Sequence, residues 1–474
     1  TEMVNATSLE LGHGLIKVEE LATEAGPIGV QLFDHRPEAM AEAARRAEAT
    51  GAFLIDLNMG CPVHKIARKG GGSGLIRDPD LAARLVETVA SAVDRSVLQR
   101  VVDTQTHLPD GFHVHPRLAP QLQRRAQMLT DGTIDWALGE MLAMGTLLTE
   151  GRSVRLAGQD SRRGTFGQRH AVIMDNQDGH AYKPLKTLYS GGSKLYVYDS
   201  LLSEYAALGF EYGYGVARPD ALVMWEAQFG DFVNGAQIII DEFIASSEQK
   251  WGQTSSVVLL LPHGLEGQGP DHSSARIERF LQLCAQENMT VAMPSTPASY
   301  FHLLRDHVLS ERVRPLVVMT PKSMLRLKAA TSTTEELTSG AFRPVLADST
   351  VASDRVRRVL LCSGKVAYDL LAHRATLDDD AQATTAIIRL EQLYPLPDVE
   401  LASALSAFPR DLEVLWVQEE PVNQGAWPFI GLTLPQAIAR PIRPITRTAA
   451  SAPASGSHSV HEAEQKQLLT EAFR

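Results

Sequence analysis

The sequence predicts an α/β protein built on mostly parallel sheets. Short apolar runs, each followed by a helical pattern, recur within residues 29–93, 256–322 and 356–420. This alternation is typical of parallel pairing, because neighbouring parallel strands need a crossover connection. The 474 residues, of which 44% are hydrophobic, suffice for two or three domain cores.

Charge and cysteine usage narrow the class of protein. The formal net charge of −11 argues against nucleic-acid binding that depends on bulk positive charge. Cys61, Cys284 and Cys362 lack the spacing of metal ligands, so we expect a reduced, cytoplasmic setting and predict no metal-ligating residues. No stretch approaches the roughly 18 apolar residues of a membrane span, and no signal-peptide pattern is present. The start at Thr1, without an initiator Met, suggests a fragment.

The first 93 residues carry the first strand–helix alternation. GVQLF (residues 29–33) predicts a buried strand and FLIDLN (residues 53–58) predicts the next strand, and an alanine-rich helix pattern over residues 37–51 lies between them. A further helix is expected over residues 78–93. The order suits an open α/β sheet or part of a (β/α)8 barrel.

In a barrel the carboxyl ends of the strands carry the chemistry, which would place Asn58 and Cys61 there. An isolated Cys is otherwise a small buried hydrophobe, and the alternative is a positioned thiol that acts as an acid or a nucleophile. Several segments, among them EMVNATSL, GVQLF and DLNMGCPVHKIARKGGGSGLIRDP, make residues 1–93 resemble tRNA-dihydrouridine synthases. These are flavin-dependent barrel enzymes that reduce a uracil ring in tRNA.

This resemblance implies a role for each matching residue. Cys61 would protonate C5 of the uracil while reduced FMN gives hydride to C6, and Gln31 and Asn58 would lie close to the flavin and the substrate. The segment corresponds only to the early-middle part of the barrel, and the family's phosphate-binding loops and later Lys and His have no counterpart. An open piece of a closed barrel leaves sheet edges unpaired, which argues against FMN binding.

From Asp94 onwards the chain resembles the dehydrogenase component of the 2-oxoglutarate dehydrogenase complex. The matching segments include LPDGFHVHPRL, GTIDWALGEMLAMGTLL, LPHGLEGQGPDHSSARIERFLQLC and WVQEEPVNQGAWPF. The resemblance implies a connector (residues 94–130), a thiamine pyrimidine-binding, transketolase-like domain (131–335) and a transketolase-like C-terminal domain (345–474), both with parallel sheets. It also implies decarboxylation of 2-oxoglutarate with thiamine diphosphate, succinylation of a lipoyl group on a succinyltransferase partner, and a homodimer.

Residues 199–237 read as a cofactor cleft. Glu204 opens an apolar helix pattern, a Pro-Asp turn follows, and the buried-type strand ALVMW leads into a second acidic and aromatic cluster. By resemblance, Glu204 binds N1′ of the aminopyrimidine. The alternative is a solvated glutamate favoured by the helix dipole. Phe229 matches the aromatic that lies against the pyrimidine ring, with Phe232 as the alternative and a plain core position as the simpler interpretation.

The segment HGLEGQGPDHSSAR supplies two further candidates. His272 matches an active-site histidine that could donate to the substrate carboxylate or to an oxyanion, and His263 is its weaker partner. Both could instead be surface-loop residues. Asp271 or Ser273 is expected to cap a helix that begins near residue 274.

The Gly-Asp-Gly…Asn motif that holds the cofactor pyrophosphate and Mg²⁺ does not occur in the sequence. The sequence therefore predicts only the pyrimidine half of a thiamine site, without the Mg²⁺ ligands. Three interpretations remain: an incomplete 2-oxoglutarate dehydrogenase component that is inactive alone, a flavin-dependent tRNA-dihydrouridine synthase acting on tRNA, or a non-catalytic chimeric α/β dimerisation module.

Overall fold

The computed structural model describes residues 3–10, 29–50, 52, 54–59, 73, 75, 81–82, 86, 92–310 and 312–474. In the first part of the chain, β1 (Met3–Asn5), β2 (Gly29–Phe33) and β3 (Leu54–Leu57) form a parallel sheet in that order. Helix Pro37–Ala49 has Pro at its first position and buries its alanine face against β2. These strands and this helix confirm the predicted alternation, whereas most of the helix predicted over residues 78–93 lies outside the described residues.

A seven-stranded sheet forms the centre of the rest of the chain. Its strands are β4 (Val154–Gly158), β7 (Leu195–Asp199), β8 (Leu222–Glu226), β9 (Val258–Pro262), β10 (Thr290–Ala292), β11 (Leu316–Thr320) and β15 (Gln392–Tyr394). Their order in the sheet is β15-β10-β11-β9-β8-β4-β7. All pairs are parallel except that β15 runs antiparallel to β10 at one edge.

Both faces of this sheet are covered, which explains the continuous apolar runs in the sequence. Alternate side chains of β8, β9 and β11 enter two different cores: Met224 packs with helices Trp136–Thr149 and Pro297–Leu309, whereas Trp225 lies in the core on the other face. A parallel strand that is buried on both faces reads as uniformly hydrophobic rather than alternating.

The second of these cores is shared with a five-stranded sheet. Its strands are β12 (Val345–Leu346), β13 (Arg358–Cys362), β14 (Thr385–Leu390), β16 (Glu413–Pro421) and β17 (Arg443–Arg447). Their order in the sheet is β12-β14-β13-β16-β17, and all pairs are parallel except that β12 pairs antiparallel with β14. The far face of the sheet packs against helix His458–Ala472. A separate short hairpin consists of β5 (Ile173–Met174) and β6 (Ala181–Tyr182).

The α/β fold class is therefore confirmed: two parallel-rich sheets follow the separate three-stranded parallel sheet of the first part of the chain. Strand β15 belongs by sequence to the segment predicted as the C-terminal domain, yet it completes the sheet of the preceding segment. Helix Arg95–Thr106 packs its apolar face into the first core of the seven-stranded sheet, and the Asp94 side chain caps it by accepting from the Ser96 amide.

The other helices complete the layers around the two sheets. Among the described residues, no helix is both long and apolar enough to cross a membrane. The α-helices not yet given are Ala6–Glu10, Ala119–Asp131, Glu204–Ala217, Gln237–Ile239, Ser247–Trp251, Ile277–Leu283, Thr334–Ser339, Val366–Arg374, Asp379–Thr384, Asp398–Ser406 and Trp427–Ala437; 3₁₀ turns span Pro184–Leu188, Gly230–Ala236, Ser323–Arg326 and Ser353–Arg355, and a π-helical turn spans Ile240–Ile244.

Candidate functional site

The predicted site residues of the main part of the chain (residues 94–474) follow strands that end at one edge of the seven-stranded sheet. Gly158 at the end of β4 lies opposite both Asp199 and Glu226, and Pro262 at the end of β9 lies opposite Thr320. Ligands of open α/β sheets bind beyond the carboxyl ends of the strands. The structure thus brings the segments that carry Glu204, Phe229 and the two histidines to one place.

Glu204 is the first residue of helix Glu204–Ala217, as the sequence predicts. Ser203 caps the helix by accepting from the Ala206 amide. The Glu204 side chain is half-buried, and Gln159 Nε2 donates to its Oε1 over 3.3 Å. Among the described residues, its Oε2 accepts no hydrogen bond, while Gly235 lies close enough that a Cβ there would contact it at 3.4 Å. One carboxylate oxygen is therefore hydrogen-bonded to Gln159, and the other can accept a hydrogen bond from a ligand.

A small cavity of about 10 Å³ lies beside Glu204. That volume corresponds to about one water-sized sphere. The cavity is lined by the polar side chains of Gln159, Gln228 and Glu226 together with apolar side chains such as that of Trp225. Glu204 consequently faces a small recess of mixed polarity.

The aromatic side chains after β8 surround His272. The Phe229 ring meets the His272 ring edge-to-face with centroids 4.4 Å apart, and Phe232 meets it at 5.9 Å. Phe166 packs edge-to-face on Phe229 at 5.7 Å. Both predicted aromatics thus lie at the site, and Phe229 is the one with the closer contact to the histidine.

The loop that carries His272 is held from two sides. Asp231 Oδ2 accepts from the amides of Ser273 and Ser274, at 3.2 and 3.0 Å. Buried Lys322 donates from Nζ to the His272 carbonyl at 2.5 Å and to Gln268 Oε1 at 2.8 Å. Burial lowers the pKa of Lys322 although nearby carboxylates, first Glu266, raise it.

The predicted helix start after this loop is wrong. The helix begins at Ile277 rather than near residue 274, and neither Asp271 nor Ser273 caps it. Asp231 takes the amides that would have begun the helix, and Arg276 adopts φ +58°, which is outside helical geometry.

His263 is buried, with 1% of its side chain exposed. The Ala275 amide donates to its Nδ1 at 3.1 Å, so the ring proton lies on Nε2, which donates to Glu420 Oε1 at 2.6 Å. Burial raises the pKa of Glu420, but the hydrogen bond from His263 and the other interactions of this carboxylate outweigh burial, so that the pKa lies below its ordinary value. Both ring nitrogens are occupied, which favours an indirect role for His263 over contact with a substrate.

Beneath the site lies a buried charge network that sequence reasoning missed. Arg169 donates to Glu140 at 2.5 Å and to Glu226 at 2.6 Å, and the Tyr300 hydroxyl donates to Glu140 at 3.0 Å. Burial raises the pKa of Glu226, against the lowering effect of Arg169. The partners lie 29 to 160 residues apart in sequence, so no local pattern could have indicated the network.

The two flavin-site candidates in the first part of the chain also meet. Asn58 Nδ2 donates to Gln31 Oε1 at 2.9 Å, and Gln31 Nε2 donates to Asp56. Cys61 lies outside the described residues. The structure therefore places Gln31 and Asn58 together and leaves the role of Cys61 a prediction.

One carboxylate–histidine group elsewhere has the spacing of metal ligands among the described residues. Asp175, Asp178 and His180 bring their ligand atoms within 4.8 Å of one another in the turn between β5 and β6. Asp175 already accepts from the amides of His113, Gln177 and Asp178, which lower its pKa to about 2. The group is thus a tightly bonded turn.

Comparison with known proteins identifies the class that this fold defines. Residues 132–328 match the family model "Transketolase, pyrimidine binding domain", residues 331–473 match "2-oxoglutarate dehydrogenase C-terminal", and residues 1–108 match "Dihydrouridine synthase (Dus)". The resemblance of both parts of the chain is confirmed, and the main part is transketolase-like. Its domains imply dependence on thiamine diphosphate.

Curated relatives make the similarity more particular. A "Multifunctional 2-oxoglutarate metabolism enzyme" of Mycobacterium sp. (strain KMS) is 54% identical over 410 residues, which are 84% of this chain and 32% of the relative. The protein of the same name from Mycolicibacterium vanbaalenii is 54% identical over 399 residues, 81% of this chain and 32% of the relative. The chain therefore spans about a third of the length of these relatives.

Proposed function

We propose that this chain supplies the pyrimidine half of the thiamine diphosphate site in a 2-oxoglutarate dehydrogenase that succinylates a lipoyl group. The observation that carries the proposal is Glu204. Its carboxylate stands at the carboxyl edge of the sheet, held by Gln159 through one oxygen, while its other oxygen has no donor among the described residues.

The residues present suit an aminopyrimidine ring. A half-buried carboxylate can hold a proton at ring nitrogen N1′, and Phe229 and Phe232 offer aromatic surfaces nearby. When bound, thiamine diphosphate supplies the carbon nucleophile and the electron sink for decarboxylation.

The remaining site residues then orient the reactant. The His272 ring, fixed against Phe229, would donate a hydrogen bond to the substrate carboxylate or to a developing oxyanion. Lys322 and Asp231 keep the backbone around His272 in place. The substrate assignment to 2-oxoglutarate is supported by the names of the relatives and by the match of residues 331–473.

The pyrophosphate and Mg²⁺ half would come from a polypeptide segment that carries a Gly-Asp-Gly…Asn motif, and this chain alone would be inactive. The acceptor would be a lipoylated succinyltransferase component. Exposed apolar side chains just before helix Glu204–Ala217, within it and in helix Gln237–Ile239 favour a homodimer; they are Leu201, Leu202, Tyr205, Phe210 and Ile238.

A complementation assay tests the proposal. The purified chain is mixed with a pyrophosphate-binding segment of a relative, thiamine diphosphate, Mg²⁺ and 2-oxoglutarate, and CO₂ release is measured. We expect no measurable cofactor binding by the chain alone, activity in the mixture, and a loss of about 100-fold or more with Glu204→Ala.

Glu335→Ala is the matched control, because Glu335 is also a glutamate in the first turn of a helix, here Thr334–Ser339, and it is exposed. It should leave the recovered activity unchanged. Activity that survives Glu204→Ala would refute the role of Glu204. No activity with the unaltered chain would refute the proposed function and favour the non-catalytic dimerisation module.

A second candidate function is a flavin-dependent tRNA-dihydrouridine synthase. It is favoured by the Asn58–Gln31 hydrogen bond together with the match of residues 1–108. Visible flavin absorbance in the purified protein, lost on denaturation and reduced by Gln31→Leu, would support FMN binding. Colourless protein after incubation with excess FMN would reject it.

We also propose a cytoplasmic location. Cys284 and Cys362 are free, and burial raises the pKa of each thiol to about 12, so that both stay unreactive. Fractionation of cells that express the full-length protein tests this location.

A further inference from the structure

His263 connects the site loop to the second sheet. Its Nε2 donates to Oε1 of Glu420, which lies on β16, 157 residues away in sequence. Its Nδ1 accepts from the Ala275 amide, 12 residues away. The imidazole therefore bridges a carboxylate of the five-stranded sheet and the backbone that follows His272.

The carboxylate decides which ring nitrogen carries the proton. A neutral imidazole has one donor and one acceptor nitrogen, and a carboxylate can only accept. Glu420 therefore requires the proton on Nε2, which leaves Nδ1 as the acceptor that the Ala275 amide needs. With the proton on Nδ1, two donors would face each other at the Ala275 amide in a buried place, where an unmet hydrogen bond is costly.

The Ala275 bond completes a continuous restraint. The three consecutive amides of Ser273, Ser274 and Ala275 all donate to side chains from other segments, the first two to Asp231 and the third to His263. These amides directly follow His272, so their restraint sets where the His272 ring stands against Phe229.

We propose that Glu420 is a positioning residue for the active site: acting through the tautomer of His263, it holds the loop that presents His272. The role rests on the proposed function, since His272 is the group that would touch the substrate. It assigns to the five-stranded sheet a direct part in ordering the site of the seven-stranded sheet.

The first test is the tautomer itself. In the unaltered chain with ¹⁵N-labelled histidine, NMR at neutral pH should show His263 as the neutral Nε2–H form, assigned by the signal lost in His263→Gln. A neutral Nδ1–H form or a doubly protonated ring would overturn the proposal. The tautomer is measured in the unaltered chain, and His263→Gln serves only to assign the signal.

The second test is hydrogen exchange of the peptide that spans residues 264–276. Glu420→Leu removes the acceptor for Nε2–H, and we expect the protected amides after His272 to exchange about tenfold faster or more. Glu420→Gln keeps an acceptor oxygen and should restore exchange to within about threefold of the unaltered chain. Equal exchange in Glu420→Leu and the unaltered chain would overturn the proposal, as would an equal increase in both variants.

Glu419→Gln is the matched control, because Glu419 is the preceding buried residue of the same strand and pairs with Lys365 at 2.7 Å instead. It should leave exchange over residues 264–276 unchanged. Neither test needs a cofactor, so a failed complementation assay would reject the proposed function but would leave the tautomer and the exchange rates as evidence for the role of Glu420.

If the complementation assay shows activity, Glu420→Leu should lower its kcat about tenfold and Glu420→Gln should restore it.

Discussion

The first sheet and the seven-stranded sheet use the same strand–helix alternation and differ in how completely it is covered. In β8, β9 and β11 every side chain is buried, because helices or a second sheet lie on both faces. In β3, on the described residues, Leu54 is 61% exposed. Parallel strands are stable when both faces are covered. Matching strand–helix patterns in the sequence therefore do not imply matching burial.

This difference predicts that the two parts unfold in separate steps. On the described residues, the core of the first part contains several alanines and few large side chains, whereas the cores around the seven-stranded sheet contain Trp, Phe and Leu throughout. Substitutions in each part should therefore move a different transition, and the following variants are ordered by the size of the expected change.

The largest change is expected for Arg169→Met. Removal of the guanidinium leaves the buried carboxylates of Glu140 and Glu226 without their shared cation. We expect a loss of about 3–5 kcal/mol in the free energy of unfolding of the main part, measured by urea denaturation at neutral pH.

Arg218→Met is the control, because Arg218 forms an exposed ion pair with Asp220. Its cost should be below about 1 kcal/mol. A change of similar size in both variants would contradict the network. Arg169→Met should shift the unfolding transition of the main part, and an unchanged transition there would contradict a stabilising role for Arg169 in that part.

The sequence predicted what depends on neighbours along the chain. The apolar run before Phe229 predicted a buried strand, and the apolar helix pattern that opens at Glu204 predicted a helix start. The pairing of His263 with Glu420 could not be predicted, because it requires two sheets to pack together. The helix start near residue 274 was wrong for the same reason: Asp231, from another segment, binds the amides there.

The next largest change is expected for Leu32→Ala. Leu32 lies on β2, between β1 and β3, and is buried in the core of the first part of the chain. The variant should lose about 2–4 kcal/mol in free energy of unfolding, and only in the unfolding transition of the first part. Leu54→Ala on the neighbouring strand removes a mostly exposed side chain and should cost less than about 0.5 kcal/mol. A single transition that shifts with Leu32→Ala would show that the two parts unfold together.

A smaller, pH-dependent change is expected for Asp306→Asn. Burial raises the pKa of Asp306 from 3.8 to about 6, while Arg312 opposes the rise. The folded state therefore holds this proton more tightly than the unfolded state, and the stability of the unaltered protein falls as pH rises from about 4 to 6. Asn carries no charge, so the variant should gain stability relative to the unaltered chain over that window, by about 3 kcal/mol at most.

Asp220→Asn gives a control of opposite sign for the Asp306 experiment. The hydrogen bond from Arg218 lowers the pKa of Asp220, so this carboxylate contributes stability above its unfolded pKa that disappears as pH falls. The variant should lose stability relative to the unaltered chain at neutral pH and match it in acid. A pH-independent difference for Asp306→Asn would contradict the burial of an ionisable group at that position.

The smallest change in folding stability is expected for substitutions of exposed apolar side chains in the main part of the chain. Leu201, shortly before Glu204 in the chain, and Ile238, on helix Gln237–Ile239, are both exposed apolar side chains. If two copies cover this surface, Leu201→Asp with Ile238→Asp should convert dimer to monomer in sedimentation velocity, while the monomer's free energy of unfolding changes by less than about 0.5 kcal/mol. Leu432→Asp, at an exposed leucine of helix Trp427–Ala437, should leave the dimer intact.

A monomeric unaltered chain, or a dimer that survives the double change, would mean that this surface has a different partner. The covered faces of the sheet would then determine folding alone, and not assembly.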